Sequence, residues 1–163
     1  GNHKKFPLTI NSEFKPVSPY GTSKLFSYWI TKNYREAYDM FICNGILFNH
    51  ESPRRGHNFV TRKITRGLNM ILSGERDKLV LGNIDAKRDW GHAKDYVRGM
   101  WDILQYKDAE DFVLATNKSY TIREFVKMVF IQIGVEIEFK GSGENEKGFV
   151  KTIIQKEIYH LLQ

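Results

Sequence analysis

A chain of 163 residues with 41% hydrophobic content can enclose one core of useful size. It contains no run of about twenty apolar residues, so a helical membrane span is not expected. The single cysteine, Cys43, excludes a disulfide framework and points to a reducing cytosol. The net charge of +6 is local: nine basic residues between Arg54 and Arg88 face three acidic ones, and the rest of the chain is balanced. Such an excess indicates an anionic partner. The abundant aromatics are spaced like core residues, and no RNP-like, KH-like or zinc-finger pattern occurs, so nucleic acid ranks low and no metal site is expected.

Gly1-Asn2-His3-Lys4-Lys5 has neither an initiator Met nor an apolar signal core, which suits a processed product or a fragment. Ser18-Pro19 predicts an N-cap and a first helical turn, with a helix over Tyr20 to Tyr38. Asp39 to Phe48 is nearly continuous in apolar residues and predicts a strand covered on both faces, with Cys43 as a small buried hydrophobe. Val60, Ile64, Leu68, Ile71 and Leu72 recur at helical spacing until Gly74. Lys78 to Leu81 is a strand candidate, and a turn-rich loop runs from Gly82-Asn83 through Trp90. Val97, Met100, Trp101 and Leu104 mark another helix, and Phe112 to Ala115 a short strand. Thr121-Ile122-Arg123-Glu124 predicts a capping box opening a helix with Phe125, Val129 and Ile133 inward, closed by Gly134. Val135 to Phe139 alternates as a strand does, Gly141 to Gly148 forms a loop, and Val150, Ile153, Ile154, Ile158, Leu161 and Leu162 predict a final amphipathic helix. Alternating helices and strands indicate an α/β fold.

Two features carry chemistry. The apolar run stops at Asn49 and His50, and Glu51-Ser52-Pro53-Arg54-Arg55-Gly56 follows. Polar groups at the carboxyl edge of an α/β sheet face a ligand crevice, and guanidinium groups there suit phosphate; a solvated surface turn is the competing reading. The second is Tyr20-Gly21-Thr22-Ser23-Lys24, whose i, i+4 spacing puts phenol and ammonium on one helical face. A neighbouring ammonium favours phenolate, so the tyrosine can act as a base toward an alcohol. Tyr28 and Lys32 repeat the spacing deeper in the helix, where Tyr28 is read as packing.

These segments, with Phe59-Val60-Thr61-Arg62-Lys63-Ile64 and Arg88-Asp89-Trp90-Gly91-His92-Ala93-Lys94-Asp95-Tyr96, resemble the GDP-mannose 4,6-dehydratases, within the extended short-chain dehydrogenase/reductases. The resemblance runs from near Pro16 to about Gly148, and Asn-His-Glu-Ser-Pro-Arg-Arg-Gly is its most specific part. It implies a partial NAD(P)-binding Rossmann-like α/β fold lacking the N-terminal βαβ units. Residues 1–163 would form a single partial domain: 1–57 from the Rossmann-like core, 58–148 an interleaved substrate-binding region, and 149–163 a divergent helical tail.

The resemblance implies Tyr20 and Lys24 as the catalytic pair, with Lys24 also holding the nicotinamide ribose. It implies His50 and Arg55 as further contacts to NADP, and Asn49, Lys63 and Arg88 as contacts to GDP-mannose. A solvated Lys63, an Arg88 paired with Asp89 and a merely hydrogen-bonded strand-end His50 are the competing readings. The implied reaction is conversion of GDP-mannose to GDP-4-keto-6-deoxymannose and water, in a cytoplasmic homo-oligomer. No Gly-rich dinucleotide fingerprint precedes Tyr20, and Gly141-Ser142-Gly143 does not substitute for it. The Thr or Ser and the proton-abstracting Glu of the family would lie upstream of Gly1, and Glu13 is not supported as a replacement. The chain is therefore expected to be inactive alone, and its Asp39–Phe48 strand to lack parallel neighbours. Alternatives are a non-catalytic nucleotide-binding remnant or another NADP-dependent nucleotide-sugar epimerase or dehydratase.

Overall fold

The computed structural model describes residues 7–154. In chain order the elements are α1 (Pro19–Tyr38), β1 (Asn44–Leu47), β2 (Asn49–Glu51), α2 (Val60–Leu72), β3 (Lys87–Arg88), β4 (Trp90–His92), α3 (Ala93–Leu104), β5 (Asp111–Leu114), β6 (Tyr120–Thr121), α4 (Ile122–Gln132), β7 (Val135–Lys140), a single 3-10 turn (Gly143–Asn145) and β8 (Lys147–Ile153). No strand precedes α1 among the described residues. Two compact units form: the chain up to His50 with Gly91–Thr116, and Glu51–Trp90 with the chain from Asn117 onward.

In the first unit, Ser18 caps α1 by accepting a hydrogen bond from the Gly21 amide at 3.0 Å, with Pro19 in the first turn. Asp39 ends the helix in the left-handed region at φ 51°. No residue of α1 is fully buried, so apolar burial alone does not seat it. Polar contacts do. Asp111, at the start of β5, accepts from Arg35 at 2.7 Å, from the Tyr28 hydroxyl at 2.7 Å and from the Asn44 amide at 3.0 Å. Asn44 also donates to the Tyr28 carbonyl and Arg35 to the Ile42 carbonyl, each at 3.3 Å. Tyr28 is thus a polar anchor as well as a packing residue against Phe14 and Trp29. The network fixes α1 against the parallel β1–β5 pair, whose register runs from Asn44↔Asp111 to Leu47↔Leu114.

Two expectations for this region are corrected. The strand after α1 spans only Asn44–Leu47, because Asp39 turns the chain and Met40 and Phe41 remain exposed. β1 has a parallel neighbour within this chain, since β5 supplies it. The α3 helix forms where periodicity predicted, but Tyr96 and Ile103 are its buried residues while Val97, Trp101 and Leu104 are exposed.

The second unit holds the apolar core. Ile64 of α2, Val126 of α4 and Val135 and Ile137 of β7 are buried together, with Leu79, Leu81, Phe125, Val129 and Ile133 packed around them. The capping box is present: the Glu124 amide donates to Thr121 Oγ1 at 3.0 Å, and the Thr121 amide to Glu124 at 2.6 Å. Gly134 follows α4 at φ 72°, a conformation that favours glycine. Arg123 ties the start of α4 to Asp85 at 2.8 Å and to Glu146, with its guanidinium over the Phe139 ring at 4.8 Å.

Lys78–Leu81 is not a strand. Its leucines instead pack against the core, and Leu79 covers Gly67 of α2, where a Cβ would meet Leu79 Cδ1 at 2.7 Å. The expected C-terminal helix is also corrected: Lys147–Ile153 is strand β8, antiparallel to β7 from Val135↔Ile153 to Lys140↔Lys147. The β-branched Val150, Thr152 and Ile153 favour extended backbone, and β7 offers a ladder of unpaired amides and carbonyls. Ile158, Leu161 and Leu162 lie outside the described residues.

Ile64 is fully buried, so Ile64→Ala is expected to destabilise the chain by about 2–5 kcal/mol, read as a lower urea midpoint at constant m-value. A second expectation concerns pH. Burial pushes the Asp111 carboxyl up, but hydrogen bonds from Tyr28, Arg35 and Asn44 and the Arg35 charge outweigh it and hold it below the ordinary value. Tyr28 is pushed up to about 12, first by its bond to Asp111 and then by burial. The Asp111 contribution is complete above the ordinary aspartate pKa of about 3.9 and is lost as pH falls through its lower folded value. That of Tyr28 is complete below the phenol's ordinary value and is lost as pH rises through about 12. Denaturant midpoints across pH should show a shallower acid slope for Asp111→Asn and a shallower alkaline slope for Tyr28→Phe.

Candidate functional site

The N-cap at Ser18 sets where α1 begins, and so places Tyr20 and Lys24 one turn apart on its opening turns. Lys24 Nζ lies 5.6 Å from the Tyr20 ring centroid, and Tyr20 is 72% exposed. The phenol and the ammonium are brought together as the spacing predicted. On a tyrosine this open, a ligand hydroxyl can reach the phenol oxygen without displacing protein atoms.

Asn49 and His50 stand half-buried on β2, directly after β1. His50 Nδ1 is 2.9 Å from the Phe48 carbonyl. A carbonyl only accepts, so Nδ1 carries the proton and Nε2 of the neutral ring is left as an acceptor. The imidazole stacks on Tyr96 at 4.8 Å and 28°. That approach depends on Gly91, where a Cβ would come within 2.5 Å of the Tyr96 ring and 2.9 Å of Thr116 Cγ2. His50 is hydrogen-bonded as the bland reading held, and its second nitrogen stays available for a ligand donor.

In the second unit the arginine loop is built by turns. The Arg55 amide donates to the Ser52 carbonyl at 2.9 Å, closing a β-turn with Pro53 at its second position. The Arg54 amide donates to Ser52 Oγ at 3.1 Å. The Arg55 guanidinium lies over the Phe59 ring at 3.6 Å, with Nε 3.3 Å from Glu51. Glu51 also accepts a hydrogen bond from the buried Thr61 hydroxyl. The Glu51 carboxylate, itself bonded by the Thr61 hydroxyl, and the Phe59 ring hold Arg55 and leave its terminal nitrogens as donors. Sequence reasoning did not find this support, although Glu51 and Arg55 stand four residues apart.

Lys63 is exposed on α2, and Arg88 is exposed on β3, which pairs with β6 at Arg88↔Tyr120. Arg88 donates to the Lys87 carbonyl at 2.7 Å. Arg55, Lys63 and Arg88 thus present positive charge in three different local settings of this unit. Among the described residues no group of three or more His, Cys, Asp or Glu side chains can hold a metal ion, and no helix is long and apolar enough to cross a membrane.

Solved structures of similar fold include RMD from Pseudomonas aeruginosa in complex with NADPH, at a TM-score of 0.72 and 22% identity over 75% of this chain and 42% of that one. A dTDP-glucose 4,6-dehydratase from Bacillus anthracis in complex with NAD gives a TM-score of 0.72 and 23% identity over 82% of this chain and 42% of that one. The fold is accordingly a partial Rossmann-like α/β fold of the extended short-chain dehydrogenase/reductase type. Among curated relatives, the GDP-mannose 4,6-dehydratase of Vibrio cholerae is 53% identical over 93% of this chain, and that of Homo sapiens is 54% identical over 93%. The chain spans about 40% of the length of these relatives. The family model described as GDP-mannose 4,6 dehydratase matches residues 1–160, and the chain therefore belongs to the GDP-mannose 4,6-dehydratase family.

Proposed function

We propose that this chain carries the tyrosine–lysine pair and part of the ligand-binding surface of an NADP-dependent GDP-mannose 4,6-dehydratase. The observation that carries the reading is the Tyr20–Lys24 pair on the opening turns of α1, in a chain about half identical to relatives of that name. The overall change is GDP-mannose to GDP-4-keto-6-deoxymannose plus water.

In this reading the Tyr20 oxygen takes the proton of the hexose C-4 hydroxyl as that carbon becomes a ketone. The Lys24 ammonium, beside the phenol ring, stabilises the phenolate and holds a ribose hydroxyl. A nicotinamide cofactor held by Lys24, His50 and Arg55 would supply reversible hydride transfer at C-4 and C-6 of the hexose. Loss of the C-5 proton needs a carboxylate, and no residue of this chain is assigned to it; Glu13, which precedes α1, is ion-paired with Lys15 at 3.0 Å.

The residues assigned to the cofactor differ in chemistry: Lys24 offers a point charge, Arg55 an oriented guanidinium suited to the extra phosphate that separates NADP from NAD, and His50 an acceptor nitrogen suited to a ribose hydroxyl or an amide N–H. Asn49 is assigned to the sugar, and Lys63 and Arg88 to the diphosphate of GDP. The active species is read as a cytoplasmic homo-oligomer, with the chain alone binding ligands but not completing the reaction.

Incubation of the chain with NADP and GDP-mannose should yield no product lighter than substrate by one water, as judged by mass spectrometry; full turnover by the isolated chain would sink the claim of incompleteness. Calorimetric titration should nevertheless show NADP binding that Arg55→Ala weakens by about tenfold or more, the worth of one charge-assisted hydrogen bond. Glu51→Gln should weaken it less, by freeing the guanidinium to rotate. Equal affinity across wild type and both variants would remove Arg55 from the cofactor site.

A further inference from the structure

Three groups left without a role, His57, Arg66 and Arg76, gather with Lys63 on one face of the second unit. A cleft of about 270 Å³ is lined by His57, Lys63, Arg66, Gly67, Met70 and Arg76, among others. Lys63, Arg66, Gly67 and Met70 follow the i, i+3, i+4, i+7 rule and form one stripe of α2. Arg76 is brought to the same cleft by the turn after α2, where its amide donates to the Met70 carbonyl at 3.1 Å. The neighbouring Glu75 carboxylate accepts from Ser73 Oγ at 2.8 Å instead. No carboxylate lines the cleft, and among the described residues Lys63, Arg66 and Arg76 have no acidic partner.

The histidine is oriented. Arg66 Nη1 lies 3.2 Å from His57 Nδ1. A guanidinium only donates, so Nδ1 accepts and Nε2 carries the ring proton as a further donor. The wall of the cleft is therefore made of three fixed cations and one aligned imidazole N–H. Like charges gathered without counter-charge are unfavourable unless an anion completes them. The volume lies below the roughly 300–1,000 Å³ of clefts that enclose drug-sized ligands, so it suits the charged end of a ligand rather than a whole one. Apart from Met70 the named lining is polar or glycine, with no aromatic platform of the kind that stacks nucleic-acid bases.

We propose that His57, Arg66 and Arg76 join Lys63 to bind a diphosphate group, with Arg66 and Arg76 supplying most of the affinity. The ligand is either free diphosphate or the diphosphate of a nucleotide. In the second case the inference deepens the nucleotide-sugar reading and rests on it through Lys63. It adds three residues that this reading did not assign.

The test is calorimetric titration of the full chain at constant ionic strength with inorganic diphosphate, inorganic phosphate and GDP. Diphosphate should bind more tightly than phosphate, and Arg66→Gln and Arg76→Gln should each weaken it by about tenfold. Arg66→Lys and Arg76→Lys, which retain the charge, should restore part of the loss. Arg98→Gln, which removes an exposed arginine paired with Asp102, should leave binding unchanged. A parallel loss for GDP identifies a nucleotide diphosphate; a loss for inorganic diphosphate alone identifies the free anion. Either supports the proposal. Diphosphate affinity that is unchanged in the folded Arg66→Gln, Arg76→Gln double variant, or that falls equally in Arg98→Gln, overturns it. Failure of the dehydratase reading is separate: NADP and GDP-mannose would then both fail to bind while diphosphate binding still depended on Arg66 and Arg76.

Discussion

The Asp111 carboxylate is the constraint on which the first unit depends. It is 11% exposed and its Arg35 partner 15% exposed, so the pair is largely withdrawn from water. A charge in that position is tolerated only when its oxygens are met by donors, and three side chains meet them. Arg35 and Tyr28 come from α1 and Asn44 from β1, so one carboxylate at the head of β5 binds a helix to two strands. Directional contacts of this kind fix the rotation of a helix as well as its position. A helix that buries no residue fully has few other means of doing so.

The consequence reaches the Tyr20–Lys24 pair. Tyr28 and Arg35 lie two and four turns beyond Tyr20, so the network clamps the C-terminal half of α1 and leaves its opening turns exposed. The position of Tyr20 is then set by helix rigidity from one end and by the Ser18 cap from the other. A proton-transferring group must be held to within a fraction of an ångström of its target. In the role proposed for Tyr20 the holding groups are remote from the phenol, and the apolar residues Phe26, Trp29 and Ile30 on the same helix remain exposed.

Much of this architecture was legible in the residues because its signals are local. Ser18-Pro19, the Thr121–Glu124 capping box, Gly134 and the periodicity of α2 each act within one or two turns, and each forms as read. The Asp111 network was not legible, since its partners stand 67 to 83 residues apart, and Tyr28 in isolation looks like any helix aromatic. The strand β8 was missed for a related reason. Val150, Ile153 and Ile154 fit a helical stripe, and only the presence of β7 as a partner decides for extended backbone. Lys78–Leu81 shows the converse: in strand-like residues without a partner strand, Leu79 packs over Gly67 while Val80 stays exposed. The side-by-side placement of Tyr20 and Lys24 followed directly from spacing, whereas the support of Arg55 by Phe59 and Glu51 required the loop's fold.

The basic stretch from Arg54 to Arg88 illustrates how a single compositional signal divides into distinct physical settings. The adjacent arginines do not act as a matched pair. Arg55 is oriented by Glu51 and lies on the Phe59 ring, while Arg54 is fixed chiefly through its backbone amide on Ser52. A guanidinium supported on one face loses less freedom when its remaining donors engage a ligand, so the same charge supports tighter binding. Arg66 and Arg76 receive no such carboxylate, and the cation nearest to being ordered among them, Arg66, is ordered by a neutral imidazole. Charge that is oriented but not neutralised by the protein is the arrangement expected where a ligand supplies the neutralising group. Net charge alone could not distinguish these cases, because it counts Arg55 and Arg66 alike; only the partner of each guanidinium separates a supported cation from one whose counter-charge must come from outside.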